Sequence, residues 1–269
     1  MSGRRRVSFQ GEHGAYSESA ALAVFPGAET VPCESFTEAA RAAEGGTSDC
    51  AVIPVENSLA GSVGESHAIL RDTGLRIVAE AYHRIAHCLI GRCAPKEART
   101  VYSHPQALAQ CRRRIEAMGL RRVPTYDTAG SVAMIAGMDE AGAVCIASAE
   151  AARLHGVPVI EEGIADNPKN HTRFVVLSRE DPEPSGAGKT SVVAHLRHES
   201  GALSALLGAL AARGINLTRI ESRPREGAAW EYDFFIDMEC GADAARAALG
   251  GMPGARARIL GSYAAAPVP

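Results

Sequence analysis

Short apolar runs alternate with amphipathic segments over roughly the first 180 residues of the chain. The segment Cys50–Val55 is apolar throughout and contains a single proline, which is typical of a strand buried on both faces. Ser35 and Glu38 have the spacing of a capping box, so they predict the start of a helix that Gly45-Gly46 ends. This alternation predicts a mostly parallel sheet with helices on both faces.

The alternation of predicted strands and helices occurs twice in this region. The predicted strands are Arg6–Gln10, Glu29–Cys33, Cys50–Val55, Arg99–Tyr102, Arg122–Tyr126, Ala143–Ile146, Val159–Glu161 and Phe174–Leu177, with Leu75–Ile90 as a long extended stretch. The predicted helices are Ser17–Phe25, 35–44, Gln106–Met118, Thr128–Met138 and Ser148–Leu154. Two such series predict two α/β lobes with a ligand-binding cleft between them.

The pattern changes after Arg179–Gly188, which is charged and then rich in proline and glycine, as expected of a linker. The elements predicted beyond it are Thr190–Leu196, Gly201–Arg213, Ile215–Ser222, Trp230–Glu239, Ala242–Leu249 and Ala257–Gly261. They give a βαββαβ order in under 80 residues, which is the ferredoxin-like order. We therefore predict two domains, 1–182 and 189–265.

Composition and charge exclude several classes of protein. The 269 residues are 46% hydrophobic and 22% charged, as in ordinary globular proteins. The net charge is -3, so there is no basic surplus to hold a nucleic acid. No apolar run approaches the ~18–20 residues of a membrane span, and no leader pattern opens the chain. The seven scattered cysteines include no CxxC pair, so we expect a cytoplasmic protein without disulfides.

Two segments of the sequence resemble a cofactor or metal site, but neither fits the full pattern of such a site. Gly186–Thr190 resembles the end of a phosphate-binding loop, but Glu183 stands where that loop needs glycine, and a strand follows instead of a helix. The other signal is a group of possible metal ligands, His83, His87, Cys88 and Cys93. Their segment alternates like a strand and has no second ligand pair, so packing and local hydrogen bonding are the expected roles. We expect neither a metal nor a cofactor.

Polar side chains cluster where predicted strands end and helices begin. The clusters are Glu56-Asn57-Ser58, Ser103–Gln106 with Gln110, Asp127-Thr128, and Asp166–Phe174. Hydroxyl and amide groups at helix N-termini suit the binding of carboxylates, because free N–H groups and the helix dipole face the ligand. Each cluster alone equally suits a helix cap, so the combination decides.

Taken in order, these motifs resemble those of prephenate dehydratases. The matching segments are Ser8–Ser17, Val52–Val63, Ser103–Cys111 and Asp166–Phe174. In the last domain, Gly201-Ala202-Leu203 and Glu221-Ser222-Arg223-Pro224 resemble the phenylalanine-binding motifs of the ACT domain found in that family. The resemblance implies a catalytic domain like the type II periplasmic binding proteins. It also implies a dimer or tetramer formed through the ACT domains.

The resemblance implies conversion of prephenate, a dianion, to phenylpyruvate, water and CO2, which needs no cofactor. Thr172 is then the central catalytic residue. It acts either as an acid, with Glu56 or His171 relaying the proton to it, or as a hydrogen-bond donor that stabilises charge on the leaving oxygen. Arg173 is assigned as the partner of a substrate carboxylate, with a structural ion pair as the alternative. The implied substrate-binding set is Asn57, Ser58, Ser103, Gln110 and Thr128. The implied phenylalanine-binding set is Gly201, Ala202, Leu203, Asn216, Leu217, Glu221, Ser222, Arg223 and Pro224.

Three other functions compete with this one. Arogenate dehydratase performs the same chemistry on the amino acid analogue, and nothing in the sequence separates the two. A non-catalytic amino-acid sensor predicts loss of Thr172-Arg173 or Glu56-Asn57, and both pairs are intact. A transport solute-binding protein would need a leader or lipid anchor. We find no segment that resembles a fused chorismate mutase or dehydrogenase, so a monofunctional enzyme is expected.

Overall fold

The computed structural model describes residues 4–180, 188–225, 227–228, 230–250 and 255–269. The predicted linker at 179–188 therefore lies mostly outside the described residues. Within them, no helix combines the length and the apolar character needed to cross a membrane.

The elements of residues 4–180 follow the predicted order closely. The strands are β1 (Arg6–Gln10), β2 (Glu29–Cys33), β3 (Cys50–Asn57), β4 (Gly61–Ser62), β5 (Arg76–Arg84), β6 (Cys88–Gly91), β7 (Thr100–Ser103), β8 (Arg121–Pro124), β9 (Ala143–Ala147), β10 (Val159–Glu161) and β11 (His171–Ser178). The helices are α1 (Tyr16–Val24), α2 (Phe36–Glu44), α3 (Gly64–Asp72), α4 (Pro105–Gln110), α5 (Arg112–Ala117), α6 (Thr128–Ala136) and α7 (Ala149–His155).

These elements form two lobes with the same arrangement of strands. Lobe 1 (6–84 and 171–178) has the order β2-β1-β3-β11-β5, and lobe 2 (88–161) has β8-β7-β9-β6-β10. The chain passes from one lobe to the other at 85–87 and returns at 162–170, and these segments are the two crossovers. In each lobe, the strand that follows a crossover lies antiparallel between two others. This strand is β11 in lobe 1 and β6 in lobe 2. The predicted two-lobed fold is confirmed, although both sheets are mixed rather than mostly parallel.

Two predicted elements are interrupted. The extended stretch Leu75–Ile90 forms β5 and β6, separated by the first crossover. The predicted helix Gln106–Met118 forms α4 and α5, because the second crossover inserts at the break. There, the Asp166 N–H donates to the carbonyl of Gln110 at 2.7 Å, and its carboxylate accepts from the Arg113 N–H at 3.1 Å.

The C-terminal region forms the predicted ferredoxin-like domain. Its elements are β12 (Lys189–Leu196), α8 (Ala202–Ala211), β13 (Leu217–Pro224), β14 (Tyr232–Met238), α9 (Ala242–Leu249) and β15 (Ala255–Tyr263). The sheet is antiparallel in the order β13-β14-β12-β15. One face carries α8 and α9, and the other packs against lobe 1. Ile53, Ile77 and Leu177 of lobe 1 share one core with Val193, Phe235 and Leu260 of this sheet.

Gly261 lies where β15 meets β5 of lobe 1. A Cβ atom at this position would stand 2.0 Å from the carbonyl oxygen of Ile77. Backbone approaches backbone there, so no flexible side chain can move aside. The absence of a side chain at residue 261 therefore permits the contact between the two domains.

We expect Gly261→Ala to destabilise the protein by about 1–3 kcal/mol, the usual cost of overpacking a core. The measurement is the shift of the thermal unfolding midpoint. Gly208→Ala is the matched control, because Gly208 lies within α8 with nothing within 4 Å of its added Cβ. That change should be neutral or stabilising. Equal midpoints for the two variants would contradict the prediction.

Candidate active site in the cleft between the lobes

A cavity of about 580 Å³ lies between the two lobes. It is lined by residues from β1, β3 and β11 of lobe 1, by residues from lobe 2, and by Ile85 and His87 of the first crossover. The polar residues among them are Gln10, Tyr16, Ser17, Ser35, Asn57, Glu65, His87, His104, Gln106, Gln110, Tyr126, Asp127, Thr128 and Thr172. The cleft therefore holds hydroxyl, amide and imidazole groups with two carboxylates. Among its described lining residues there is no arginine or lysine.

The first turns of five helices face this cavity. Residues at or next to the start of α1, α2, α3, α4 and α6 are all part of its lining. The N-terminus of a helix carries partial positive charge, although the side chains of Ser35, His104 and Asp127 cap α2, α4 and α6. The convergent helix N-termini contribute partial positive charge to a cleft whose charged lining side chains are the carboxylates of Glu65 and Asp127. Such an arrangement favours an anionic ligand.

Thr172 is oriented by Asn57, its partner in the register between β11 and β3. The Asn57 side-chain oxygen accepts from the N–H groups of Leu59 and Ala60 at 3.1 and 2.9 Å. This fixes the amide, so its nitrogen donates to Thr172 Oγ1 at 2.9 Å. Because the threonine oxygen accepts this bond, its own proton is left to donate to a group in the cleft.

The structure contradicts the assignment of Arg173 to a substrate carboxylate. Successive side chains of a strand point to opposite faces, so Arg173 lies on the face away from the cleft. Its side chain is 5% exposed and pairs with Glu80 at 2.8 Å and with Asp237 of β14. It also donates to the hydroxyl of Tyr263 at 3.0 Å. The alternative of a structural ion pair describes Arg173 correctly.

Glu56 also points away from the cleft, because it is next to Asn57 on β3 and successive side chains of a strand point to opposite faces. It stands opposite Arg173 in the strand register, and its carboxylate pairs with Arg219 at 3.4 Å. The structure therefore contradicts a proton relay from Glu56 to Thr172. The other relay candidate, His171, is not among the residues that line the cavity.

The predicted substrate-binding residues divide into two groups. Asn57, Gln110 and Thr128 line the cleft. Ser103 and Ser58 do not. The Ser103 hydroxyl is fully buried and donates to the carbonyl of Ile146 at 2.6 Å, whereas Ser58 accepts from the His171 N–H at 3.0 Å. Both serines hold the backbone around the site rather than facing a ligand.

Among the polar residues of the site that the sequence analysis missed are Tyr16, His87 and Asn170. Tyr16 and Asn170 lie within motifs quoted for the resemblance, but as neighbours of the residues singled out. His87 was considered only as a metal ligand or a packing residue. The signal that could have found them is their position at the two crossovers and at the first turn of α1.

The predicted phenylalanine-binding residues lie at the start of α8 and on the edge strand β13. Gly201 precedes α8 with a left-handed φ of 86°, which glycine adopts without strain. Asn216 donates to Glu239 at 2.7 Å, and Glu221 pairs with Arg223 at 3.1 Å. Along β13, the side chains of 219, 221 and 223 are partly buried while those of 218, 220, 222 and 224 are exposed.

Comparisons with known proteins agree with this architecture. The family model for prephenate dehydratase matches residues 7–182, and that for the ACT domain matches residues 190–248. A bifunctional N-acyl-homoserine lactone acylase/prephenate dehydratase from Komagataeibacter europaeus is 38% identical over 89% of this chain and 87% of its own length. An arogenate dehydratase/prephenate dehydratase from Arabidopsis thaliana is 39% identical over 96% of this chain and 71% of its own.

A solved structure of a prephenate dehydratase from Arthrobacter aurescens, in complex with L-phenylalanine, superposes with a TM-score of 0.85. It is 35% identical and covers 97% of this chain and 90% of its own. Family models, relatives and structure agree over nearly the whole chain, and the chain belongs to the prephenate dehydratase family.

Proposed function

We propose that this chain is a prephenate dehydratase that converts prephenate to phenylpyruvate, CO2 and water. The observation that carries the proposal is the Thr172 hydroxyl, which lies in the cleft between the lobes and accepts a hydrogen bond from Asn57. Its own proton is then left to donate to a ligand in the cleft. The reaction needs such a donor at the oxygen that leaves the ring.

The charge of the cleft also suits the substrate. Prephenate carries two carboxylates, and five helix N-termini face the cavity. Binding through helix N-termini and neutral donors holds the carboxylate that departs as CO2 less tightly than a buried arginine pair would. This matters because that group must lose its charge during the reaction.

The geometry favours a hydrogen-bonding role for Thr172 over acid catalysis. As the carboxylate leaves as CO2, the electron pair of its C–C bond enters the ring and the ring hydroxyl departs, to become water with a proton from solvent. An aliphatic hydroxyl is too weak an acid to supply that proton unaided. Glu56 lies on the other face of the sheet, and Asn57, which contacts Thr172, cannot titrate. Thr172 then stabilises charge on the departing oxygen, as an oxyanion-hole donor does.

The direct test is to mix the purified protein with prephenate and follow phenylpyruvate by its absorbance in alkali. Phenylpyruvate formed at an enzymatic rate supports the proposal. A protein that forms no product from prephenate or from arogenate, but still binds phenylalanine, would be an amino-acid sensor instead.

Arogenate is the second candidate substrate, and Glu65 favours it. Arogenate carries an ammonium group where prephenate has a keto oxygen. The Glu65 carboxylate is exposed at the start of α3 and lines the cleft, so it can pair with an ammonium. A keto group offers nothing to this carboxylate.

We expect Glu65→Gln to lower kcat/KM for arogenate by about 1.5- to 5-fold, the range for one exposed ion pair. The value for prephenate should stay unchanged or rise. The measurement is the ratio of the two kcat/KM values, and Glu162→Gln, on the second crossover and outside the cavity lining, is the control. An unchanged ratio in Glu65→Gln would remove this argument for arogenate.

We further infer that phenylalanine binds the ACT domain and feeds back on the cleft, in a cytoplasmic dimer or tetramer. The matching ACT family model and the relative solved with L-phenylalanine support the effector. The edge of β13 supports self-association, since it has no neighbouring strand among the described residues and carries Ile220 at 44% exposure. All seven cysteines are unpaired thiols, as in a reducing compartment. Inhibition by phenylalanine and the mass in solution are the corresponding measurements.

A further inference from the structure

Buried side-chain hydrogen bonds connect the two crossover segments beside the cleft. His87 belongs to the first crossover and is 2% exposed, and Asn170 ends the second and is fully buried. Both meet the side chain of Gln110 at the end of α4. Asn170 in turn accepts from the Asn57 amide at 2.7 Å, and Asn57 holds Thr172.

The Gln110 carboxamide has one possible orientation in this setting. Its oxygen accepts from His87 Nε2 at 2.9 Å and from Asn170 Nδ2 at 3.0 Å. The side-chain oxygen of Asn170 accepts from Asn57, so the nitrogen of Asn170 is fixed as a donor. A flipped Gln110 amide would set its own NH2 group against that donor. The NH2 group therefore lies on the opposite side of the carboxamide, in a residue that lines the cleft.

The tautomer of His87 is fixed by Gln110. A carboxamide oxygen can only accept, so Nε2 of His87 carries the proton in the bond to Gln110. Nδ1 then holds a lone pair and shares the single proton of the Tyr16 hydroxyl, 3.0 Å away, with the carbonyl of Ala86, which accepts from that hydroxyl at 2.8 Å. Burial lowers the pKa of His87, which keeps the ring neutral in this arrangement at neutral pH.

We propose that His87, together with Asn170, is a positioning residue that holds the Gln110 carboxamide with its NH2 group directed at a substrate oxygen in the cleft. The inference rests on the proposed dehydratase function. It assigns His87 a role through Gln110 rather than in direct contact with the reacting atoms. Both crossovers contribute a donor, so the orientation of Gln110 depends on both connections between the lobes.

The test is a double-mutant cycle between His87→Leu and Gln110→Leu, with kcat and KM measured for prephenate. A misdirected amide costs up to about 100-fold in kcat/KM, and we expect both single variants to fall within that range. The double variant should be no slower than Gln110→Leu, because His87 acts only through that residue. His87→Gln, which keeps an N–H donor near the position of Nε2, should recover most of the loss.

Two results would overturn the inference. One is a double variant whose loss equals the product of the single losses, since His87 would then act independently of Gln110. The other is a His87→Leu enzyme with wild-type kinetics. His155→Leu, on α7 outside the cavity lining, is the matched control and should leave kcat/KM unchanged. If His87→Leu does not fold, Asn170→Asp makes the same test, since a carboxylate cannot donate to the Gln110 oxygen.

Failure of the proposed function gives a different result from failure of this inference. A wild-type protein that turns over neither prephenate nor arogenate refutes the function. The inference is then decided by crystal structures of His87→Leu and His155→Leu. A Gln110 carboxamide rotated or displaced only in the His87 variant supports it, and one that keeps its wild-type orientation in both overturns it.

Discussion

Replacement of Thr172 by alanine is expected to lower kcat for prephenate by about two to four decades, with KM little changed. The hydroxyl accepts a hydrogen bond from Asn57, which leaves its proton to donate into the cleft. Its interaction with the departing oxygen grows as that oxygen gains charge, so its loss raises the barrier rather than weakening binding. The loss corresponds to ~3–5 kcal/mol at ~1.4 kcal/mol per decade.

Thr172→Ser is the matched variant, because serine keeps the hydroxyl and removes only a methyl group. It should retain most of the activity that alanine loses. Steady-state kinetics for wild type and both variants provide the comparison. A rise in KM at constant kcat would move Thr172 from catalysis to substrate binding. Equal losses in both variants would mean that packing of the methyl group, and not the hydroxyl, matters.

Replacement of Arg173 by methionine is expected to destabilise the fold by about 3–5 kcal/mol. Arg173 is the centre of a buried cluster in which Glu80 and Asp237 are its acidic partners, and Glu80 also pairs with Lys189 at 2.7 Å. The two carboxylates are 0% and 6% exposed. Removing the guanidinium takes away the cation that contacts the buried Asp237 carboxylate and leaves Arg219 as its cationic neighbour, which is costly in a medium of low polarity.

This loss should depend on pH. Burial alone would raise the pKa of the Asp237 carboxyl, but the guanidinium of Arg173 and the hydroxyl of Ser191 outweigh burial and hold the pKa below its ordinary value. A depressed carboxyl pKa contributes stability above the unfolded pKa of ~3.9 and loses it as pH falls toward the folded value. In Arg173→Met, the same carboxyl is best tolerated when protonated. The gap between wild type and variant should therefore be widest near neutral pH and narrow toward pH 4.

Urea unfolding at pH 7 and pH 4.5 measures both effects. Arg112→Met is the control, because Arg112 makes an exposed ion pair with Glu116 at 2.7 Å, and solvent screens such a pair. If Arg173→Met unfolds at the same urea concentration as Arg112→Met, the buried cluster does not stabilise the contact between the domains. A gap that widens at pH 4.5 would contradict the sign given for Asp237.

The sequence predicts the fold well because its signals are local. Apolar runs, caps and glycine stops identify most strands and helices, and the βαββαβ order of the last domain is correct. The break between α4 and α5 was missed because its cause, the backbone and carboxylate of Asp166, comes from about 50 residues further along the chain. Helix α3 was missed as well, since its Gly-Glu-Ser start offers no clear cap.

The candidate site was predicted less completely, for a geometric reason. A motif groups residues that are adjacent in the chain, whereas a strand sends neighbours to opposite faces. Asn57 and Thr172 face the cleft, but Glu56 and Arg173, each one residue away, face the ACT sheet. The helix N-termini that face the cleft come from five separate segments, and only the folded chain brings them together.

The two faces of β11 limit how this enzyme can change over evolution. Thr172 and Arg173 are joined by one peptide unit, so their Cα atoms are ~3.8 Å apart. The sheet of the ACT domain is also part of the core of lobe 1. Exchanging this ACT domain for another sensor would expose the core of lobe 1 and would also remove Asp237, the partner of Arg173 in the ACT domain. The regulatory domain is therefore not a detachable module, and new effector specificity is more accessible through substitutions at its exposed edge than through replacement of the domain.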